Sequence, residues 1–544
     1  MTERFCVGIF LGITDTCWFI EPVSKCEYQM RAFARILLRL DDKGPGVNFA
    51  VCKEKPMNRT TIPLQGRSHD DVLTEMSSFR EHDADYKAGK TWSLVYYCGE
   101  EHSDFLKKAH NTYFSENGLN PMAFKSLKRM EAEVVQMASG LLNADQDAVG
   151  TMTSGGTESL LMAVKAARDR ARKLKPWIRR PNMVLPTTIH VGVDKAAHYF
   201  GVRPIYVEIS DDFRANVKAM EKACNRNTIL IAASAPQYPF VTIDPIEELG
   251  QLALRKKLPF HVDACFGGFM LPWLERLGHP LPLWDFRVPG VTSISADIHK
   301  YGYASKGASV LIYKDMSYLK HQFFISTNWP GGIYASPSMP GTRPGGPIAA
   351  AWATMMAMGE DGYIELAKKA LDTTKRLRAG IEGIPELRLL GEFHMTAVTW
   401  AAKDDVSVFA IADMMAERGW GADRQQNPPS IHLTVNANNA ESADQYLADL
   451  AECAAHVAKH PELADEGEAA MYGMMAKVPV RGLVKHSIGK VMESMYSASG
   501  EVPDLTKLGE GDDDGIVMKM INRYGDQAMA VLDKINSMKP GTRA

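Results

Sequence analysis

The sequence predicts an α/β protein, with a large domain built on a mostly parallel sheet and a smaller α+β domain after it. Between residues 150 and 315, short β-rich runs mostly alternate with helical stretches, which is the pattern of βαβ units. Further along the chain, three more β-rich runs follow a long helical stretch. The first pattern favours a parallel sheet covered by helices, and the second favours a separate, smaller α+β unit.

The predicted large domain contains short strands and clear helices in alternation. The helices are Glu158–Arg172, Phe213–Cys224 and Pro245–Lys256. In sheets of this type the ligand lies beyond the carboxyl ends of the strands, so residues at strand ends are the first candidates for a functional site. The predicted strands are Met183–Leu185, Ile205–Ile209, Thr228–Ala232, Phe260–Val262, Val291–Ser295 and Ala308–Tyr313.

The chain changes character after this region. The passage Trp329–Pro347 is rich in Gly and Pro, which break helices, so we expect it to be irregular. A helical pattern then resumes from Ile348 to about Gly380. The small domain is predicted to contain the strands Leu387–Leu390, Thr396–Trp400 and Ile431–Val435.

The length of 544 residues is too great for one compact core, so two or three domains are expected. Residues 1–56 hold four of the eight cysteines and show no persistent periodicity, which favours a disordered arm. We assign residues 57–140 to an N-terminal segment and residues 141–376 to the large domain. Residues 377–544 then form the small domain and its tail.

The composition excludes several classes of protein. A formal charge of −3 gives no electrostatic reason to bind nucleic acid or an anionic membrane. The cysteines form no C-x-x-C pair and no metal-ligand spacing, so we expect no metal site and reduced thiols in a cytoplasmic setting. No run of about 18 uncharged apolar residues is present, so no transmembrane segment is expected.

Two residues at predicted strand ends have the chemistry of a pyridoxal 5′-phosphate (PLP) site. Lys300 lies in an apolar stretch, where an ammonium is costly unless it is paired or converted to an imine, and imine lysines are the usual anchor of PLP. Asp263 closes an earlier strand, and a buried carboxylate keeps the pyridine nitrogen of PLP protonated. The small side chain of Ala264 leaves room for the ring. Taken alone, Lys300 has an ordinary structural explanation, and Asp263 could be a turn cap.

A phosphate loop and a stacking residue complete the pattern. Ser154, Gly155, Gly156 and Thr157 come directly before an amphipathic helix, whose amide groups and partial positive charge favour an anion. Helix capping selects similar residues, so this motif is weak by itself. His190 follows another strand, where its flat ring could stack on the cofactor. The four elements occur in this order on successive βα units.

Together these segments resemble the PLP-dependent decarboxylases of fold type I and, within that family, the sphingosine-1-phosphate lyases. The resemblance runs from about residue 90 to 375, with a looser continuation to about 480. It implies PLP as the cofactor and carbon–carbon cleavage of a phosphorylated sphingoid base into a long-chain aldehyde and phosphoethanolamine. The matching segments are Gly150–Ser159, His261–Phe269, Ser293–Gly307, Gly331–Pro337 and Gly341–Gly346.

The resemblance also implies roles for individual cofactor residues. Lys300 would be the Schiff-base lysine, Asp263 the partner of the pyridinium nitrogen and His190 the stacking residue. His299 would help to bind the cofactor or assist proton transfer. Thr342 stands where the family has a hydroxyl residue that reaches the cofactor phosphate of the neighbouring subunit, which implies an obligate homodimer.

The implied substrate residues include one departure from the family. Lys306 matches a second lysine that binds substrate phosphate, Tyr97 matches a phosphate-contacting tyrosine, and Tyr238 matches a tyrosine near the substrate. Asn120 replaces a family histidine that contacts the phosphate, and asparagine brings no charge. The sequence therefore leaves two alternatives open, an amino-acid decarboxylase and a catalytically silent protein with this fold.

Overall fold

A computed structural model describes residues 61–81, 83–403, 406–469, 472–473 and 481–497. The predicted arm, residues 1–56, lies outside these residues. The described chain divides into two compact units, one with residues 61–76 and 492–497 and the other with the described residues between 77 and 491. The predicted boundaries at residues 140 and 376 both fall inside the second unit and stay a prediction.

The large sheet of the second unit has seven strands among the described residues. Their order is β1-β7-β6-β5-β4-β2-β3, and β7 alone runs antiparallel to its two neighbours. Since the other neighbouring pairs are parallel, the carboxyl ends of β4, β5 and β6 meet at one edge. The strands are β1 (Val149–Thr153), β2 (Asn182–Pro186), β3 (Arg203–Val207), β4 (Thr228–Ser234), β5 (Phe260–Asp263), β6 (Ser293–Ala296) and β7 (Ser309–Tyr313).

Helices pack on this sheet because their apolar residues recur at helical spacing. On α4, Leu160, Val164, Ala167 and Ala171 are buried in one core cluster with residues of β2 and β4. The described α-helices of at least four residues are α1 (His69–Ser78), α2 (Glu100–Thr112), α3 (Lys125–Leu141), α4 (Gly156–Leu174), α5 (Gly192–Phe200), α6 (Val217–Ala223), α7 (Ile246–Lys256), α8 (Leu271–Arg276), α9 (Met316–Leu319), α10 (Gly345–Glu382), α11 (Val408–Glu417), α12 (Ala443–Lys459) and α13 (Arg481–Met495).

The smaller sheet has its own core. Four antiparallel strands lie in the order β10-β11-β13-β12, and Trp92 from the N-terminal segment stacks on Trp420 within that core. A separate hairpin, β8–β9, precedes α10. The remaining strands are β8 (Phe324–Trp329), β9 (Gly332–Ser336), β10 (Leu387–Leu390), β11 (Ala397–Ala402), β12 (Asp423–Gln426) and β13 (Pro429–Thr434).

The predicted α/β class and the predicted strands are confirmed, with boundary shifts of a few residues. The prediction that Trp329–Pro347 is irregular is wrong, since the passage contains β9 and the start of α10. Its glycines serve regular elements instead. Gly332 takes a positive φ of 107° next to the hairpin turn, and Gly345 begins a helix after Pro344.

Other differences have local causes. The predicted helix Phe213–Cys224 begins only at Val217, because Asn216 caps it by accepting a hydrogen bond from the Ala219 amide at 3.0 Å. Strand β12 was not predicted, since its sequence Asp-Arg-Gln-Gln is polar throughout. No helix in the described part of the chain is long and apolar enough to cross a membrane.

Two buried histidines stabilise the sheets only in their neutral form. His261 on β5 contacts the hydroxyls of Ser293 and Ser295, and burial lowers its pKa to about 4. His432 on β13 contacts Thr434, and burial lowers its pKa to about 3. Because the folded-state pKa lies below that of the unfolded chain, this stability is present above about pH 6.5 and is lost as the pH falls.

We expect the free energy of unfolding to fall between about pH 7 and pH 5, by about 2 kcal/mol for each of these histidines. His432→Gln should remove one contribution, so its unfolding free energy should depend less steeply on pH. Urea denaturation across this range measures the slope. His198→Gln is the matched control, since His198 is exposed, and an unchanged slope in His432→Gln would contradict the assignment.

Candidate functional site: a cavity at the carboxyl edge of the large sheet

A cavity of about 500 Å³ lies at the edge where β4, β5 and β6 end. Its wall includes Asp263 from the end of β5 and Lys300 from the turn after β6. The N-terminus of α4 closes another side with Gly155 and Gly156. The structure therefore brings the predicted lysine, aspartate and glycine-rich loop to one place, as expected for a parallel sheet.

The Lys300 ammonium is paired inside this cavity. Its Nζ lies 3.1 Å from Oδ2 of Asp297, whose side chain is buried. Burial works to lower the pKa of Lys300, but the charge and hydrogen bond of Asp297, together with the smaller effects of Cys265 and Asp263, outweigh it, so the pKa is raised. Asp297 is itself fixed by a hydrogen bond of 2.6 Å from the hydroxyl of Ser309 on β7. The lysine is thus held at a defined point on the cavity wall.

Asp263 is fixed by groups of its own sheet. Its Oδ1 accepts hydrogen bonds from the Cys265 amide at 3.1 Å and from the Ser295 hydroxyl at 3.5 Å. The Ser295 hydroxyl also contacts Nε2 of His261 at 3.2 Å. A buried carboxylate that receives these few bonds keeps acceptor capacity on the cavity side. Ala264 next to it is buried and is not part of the cavity wall.

The N-terminus of α4 offers free backbone donors. No side chain caps this end of the helix, so its first amide groups can bind an anion. A Cβ on Gly156 would lie 2.9 Å from Sγ of Cys265 and 3.0 Å from the Asp297 carboxylate, so only glycine fits. Ser154 and Thr157 also line the cavity, and the amide and hydroxyl of Ser154 both donate to Glu158 at 2.7 Å.

The two predicted histidines both line the cavity. Nδ1 of His299 lies 2.7 Å from the Ala308 carbonyl, which can only accept, so this nitrogen carries the proton. Burial lowers the pKa of His299, which favours the neutral ring and leaves Nε2 as an acceptor. Nδ1 of His190 accepts a hydrogen bond from the Gly192 amide at 3.1 Å, and its ring is exposed.

This set of groups fits PLP. The cofactor needs an amine for covalent attachment, a carboxylate for its ring nitrogen, and donors for its phosphate. Lys300, Asp263 and the uncapped end of α4 supply these on different sides of the same cavity. An aromatic ring, His190, is also present at the wall.

Lys306 adds a second ammonium to the cavity wall. Its Nζ donates to the Leu94 carbonyl at 2.7 Å and lies 5.5 Å from the ring centre of Tyr96. Tyr238 lines the same cavity, and its ring stacks on His432 with 4.2 Å between the ring centres. Both residues thus lie on the wall of the cavity that contains Lys300.

Three predicted residues lie outside the wall formed by the described chain. Tyr97 donates to Glu100 at 3.1 Å, and Asn120 accepts from the amides of Met122 and Ala123 as a turn cap. Thr342 is exposed. Their assignments stay predictions.

The sequence analysis missed Asp297 and Tyr96. Asp297 stands three residues before Lys300, a spacing that places two side chains together in a turn, so it could have been found. Tyr96 could not be distinguished from Tyr97 by sequence alone. Its ring packs on that of Tyr301, with 4.8 Å between the ring centres. Only the folded structure shows this contact.

The cavity residues described above lie in a stretch of the chain that matches a known protein family. Residues 102–403 match the model of the pyridoxal-dependent decarboxylase conserved domain. Sphingosine-1-phosphate lyase 1 of Rattus norvegicus is 41% identical over 440 residues, which cover 80% of this chain and 77% of the relative. Sphingosine-1-phosphate lyase of Arabidopsis thaliana is 42% identical over 451 residues, covering 81% and 82%.

Solved structures agree with these relatives. The sphingosine-1-phosphate lyase of Burkholderia pseudomallei aligns with a TM-score of 0.70 at 38% identity, over 73% of this chain and 92% of that protein. Glutamate decarboxylase of Lactobacillus brevis aligns with a TM-score of 0.64 at 20% identity, over 74% and 96%. At that identity the second match supports the fold alone, which is that of the PLP-dependent decarboxylases.

We expect Lys300→Ala to abolish covalent attachment of PLP, because Lys300 is the amine that the described cavity places beside Asp297 and Asp263. Borohydride reduction of the PLP-loaded protein, followed by peptide mapping, should place the pyridoxyl group on Lys300. Lys306→Ala is the matched control, since it removes the other ammonium of the cavity and should leave the label in place. A label on Lys306 in the unchanged protein would contradict the assignment.

Proposed function

Since the chain belongs to the pyridoxal-dependent decarboxylase family and, within it, to the sphingosine-1-phosphate lyases, we propose that it cleaves a phosphorylated sphingoid base. The C2–C3 bond breaks, and the products are a long-chain aldehyde and phosphoethanolamine. PLP is the cofactor, as the family match and the cavity both support. An amino-acid decarboxylase is supported only at the level of the wider family.

The observation that carries the proposal is the unmatched charge of Lys306. Lys300 is paired with Asp297, but Lys306 forms no ion pair with a carboxylate of the described residues and contacts only a backbone carbonyl and an aromatic ring. The cavity wall partly removes Lys306 from water and so lowers its pKa, although the residue is exposed, and the charge of Lys300 lowers the pKa further. A phosphate next to Lys306 offsets this positive charge, so an anionic substrate fits better than a neutral one.

The residues of the cavity have different roles, which we assign from their positions. We assign Lys300 to covalent attachment, Asp263 to the ring nitrogen, and the α4 amide groups to the cofactor phosphate. His190 would stack on the ring, and Nε2 of neutral His299 would be a proton acceptor beside the attachment point. PLP, when bound, supplies an electron-accepting ring for the electron pair of the breaking bond. The cavity residues would select that bond by fixing the orientation of the substrate relative to the ring.

We further propose a homodimer with shared sites. Thr342, Tyr97 and Asn120 do not line the cavity of their own chain, which is consistent with contributions across a subunit boundary. The hairpin β8–β9 exposes large apolar side chains, among them Ile325 and Ile333, with exposed fractions of 63% and 81%.

Sedimentation should give twice the mass of the chain, and a monomer with full activity would contradict the proposal.

A cytoplasmic location also belongs to this proposal. The four described cysteines, Cys98, Cys224, Cys265 and Cys453, are free thiols. Cys265 and Cys453 are buried, and Cys98 is half-buried. Loss of contact with water raises the pKa of Cys453 to about 11 and that of Cys98 to about 12, so these two thiols are poor nucleophiles. Such unpaired cysteines are typical of a reducing compartment.

Product analysis tests the proposed function. The PLP-loaded enzyme, given sphingosine 1-phosphate, should release a long-chain aldehyde and phosphoethanolamine in equal amounts, measured by mass spectrometry. Given amino acids, it should release no carbon dioxide. Carbon dioxide without aldehyde would overturn the proposal in favour of the decarboxylase.

Lys306 variants link this activity to the structure. Lys306→Ala should raise the Michaelis constant by roughly tenfold to a hundredfold, because a charge-assisted hydrogen bond of about 1.5–3 kcal/mol is lost. Lys306→Arg keeps the charge at high pH, so its Michaelis constant should stay low at pH values where that of the unchanged enzyme rises. Equal Michaelis constants for Lys306→Ala and the unchanged enzyme would contradict the phosphate role.

A further inference from the structure

Tyr238 stands between the catalytic cavity and a second cavity. It follows β4 and lines the first cavity, and it also lines a cavity of about 430 Å³ among residues of the small sheet. Its ring is stacked on His432 and lies 5.6 Å from the ring centre of Phe266. These two neighbours limit the motion of the ring, so its hydroxyl has a defined position.

The hydroxyl of Tyr238 has only one proton, and that proton is committed. It donates to Oδ2 of Asp423 on β12, and a carboxylate can only accept. Consequently the oxygen of Tyr238 can offer only lone pairs to any other group. Burial raises the pKa of Tyr238, and the charge of Asp423 raises it further, so the phenol stays neutral.

We propose that Asp423 is a positioning residue that makes Tyr238 a hydrogen-bond acceptor for the 3-hydroxyl group of the substrate. This inference rests on the proposed function, since that hydroxyl lies on the carbon that becomes the aldehyde. As the C2–C3 bond breaks, its electron pair stays on C2, and the 3-hydroxyl passes its proton to the Tyr238 oxygen. Tyr238 in turn passes its own proton to the Asp423 carboxylate, so the product leaves as the neutral aldehyde and the phenol stays neutral. A tyrosine that donated its own proton to the substrate would oppose this change.

The pair also defines substrate class. A phosphorylated long-chain amine without the 3-hydroxyl has no donor for Tyr238, and a 3-keto compound offers a second acceptor instead. Lys306 binds the phosphate, and the Tyr238–Asp423 pair accepts a hydrogen bond from the 3-hydroxyl. The enzyme should therefore prefer 3-hydroxy compounds through this pair.

Asp423→Leu and Tyr238→Phe test the proposal. Each should lower kcat/KM for sphingosine 1-phosphate by roughly tenfold or more, whereas the inhibition constant of its 3-deoxy analogue should stay within about twofold. The double variant should be little worse than Tyr238→Phe alone, since the two residues act as a unit. Weakened binding of the analogue, or an additive double variant, would overturn the proposal.

Asp423→Asn guards against a folding defect. Its amide oxygen can still accept the hydrogen bond from Tyr238, so it should keep the binding preference for 3-hydroxy over 3-deoxy ligands that Asp423→Leu loses. Its kcat should fall, because an amide does not take up the proton. Loss of that preference in Asp423→Asn, with an unchanged melting temperature, would show that an acceptor at this position is not what matters.

A readout without catalysis separates this inference from the proposed function. In the protein without PLP, the tyrosinate absorbance of Tyr238, obtained by subtracting the Tyr238→Phe titration, should appear at lower pH in Asp423→Leu than in the unchanged protein. This result would stand even if no aldehyde were produced. An unchanged titration would overturn the contact between Tyr238 and Asp423.

Discussion

The ion pair between Lys300 and Asp297 is the constraint on which the site depends. A buried ammonium is costly, and a buried carboxylate at 3.1 Å offsets that cost only when both groups are fixed. Ser309 fixes Asp297 from β7, and Gly156 gives the carboxylate room at the start of α4. One pair thus couples the lysine turn, the neighbouring strand and the phosphate loop, and it defines the distances among them.

The same turn also joins the catalytic cavity to the small sheet. Tyr301, next to Lys300, donates from its hydroxyl toward the carbonyls of Thr396 and Val435 at 2.8 and 2.9 Å. Its ring packs on Tyr96 and Phe266. Two residues of the small sheet also contact Tyr238 of the large sheet's edge: Asp423 accepts its hydroxyl proton in a hydrogen bond, and His432 stacks on its ring. On the proposed roles, substrate recognition depends on packing between the two sheets, while cofactor binding depends on the large sheet.

Much of the fold and cofactor site follows from local sequence. Strands such as β4 and β7 are short, mostly apolar runs, and Asp263 and Lys300 are marked by their places at strand ends. Residues whose role depends on a distant part of the chain were harder to predict from the sequence. Asp423 is in a polar strand with no strand pattern, and its partner Tyr238 is 185 residues away. The passage Trp329–Pro347 was wrongly predicted to be irregular, because glycines in a hairpin turn and glycines in a first helical turn look alike in sequence.

The most direct measurement concerns the charge of Asp297. In the protein without PLP, Asp297→Asn removes the carboxylate that raises the pKa of Lys300, so covalent attachment of added PLP should extend to lower pH. The fraction attached at each pH is measured by borohydride trapping and mass spectrometry. Ser309→Ala keeps the charge and should shift this dependence much less. A pH dependence unchanged in Asp297→Asn would contradict the central place of the ion pair.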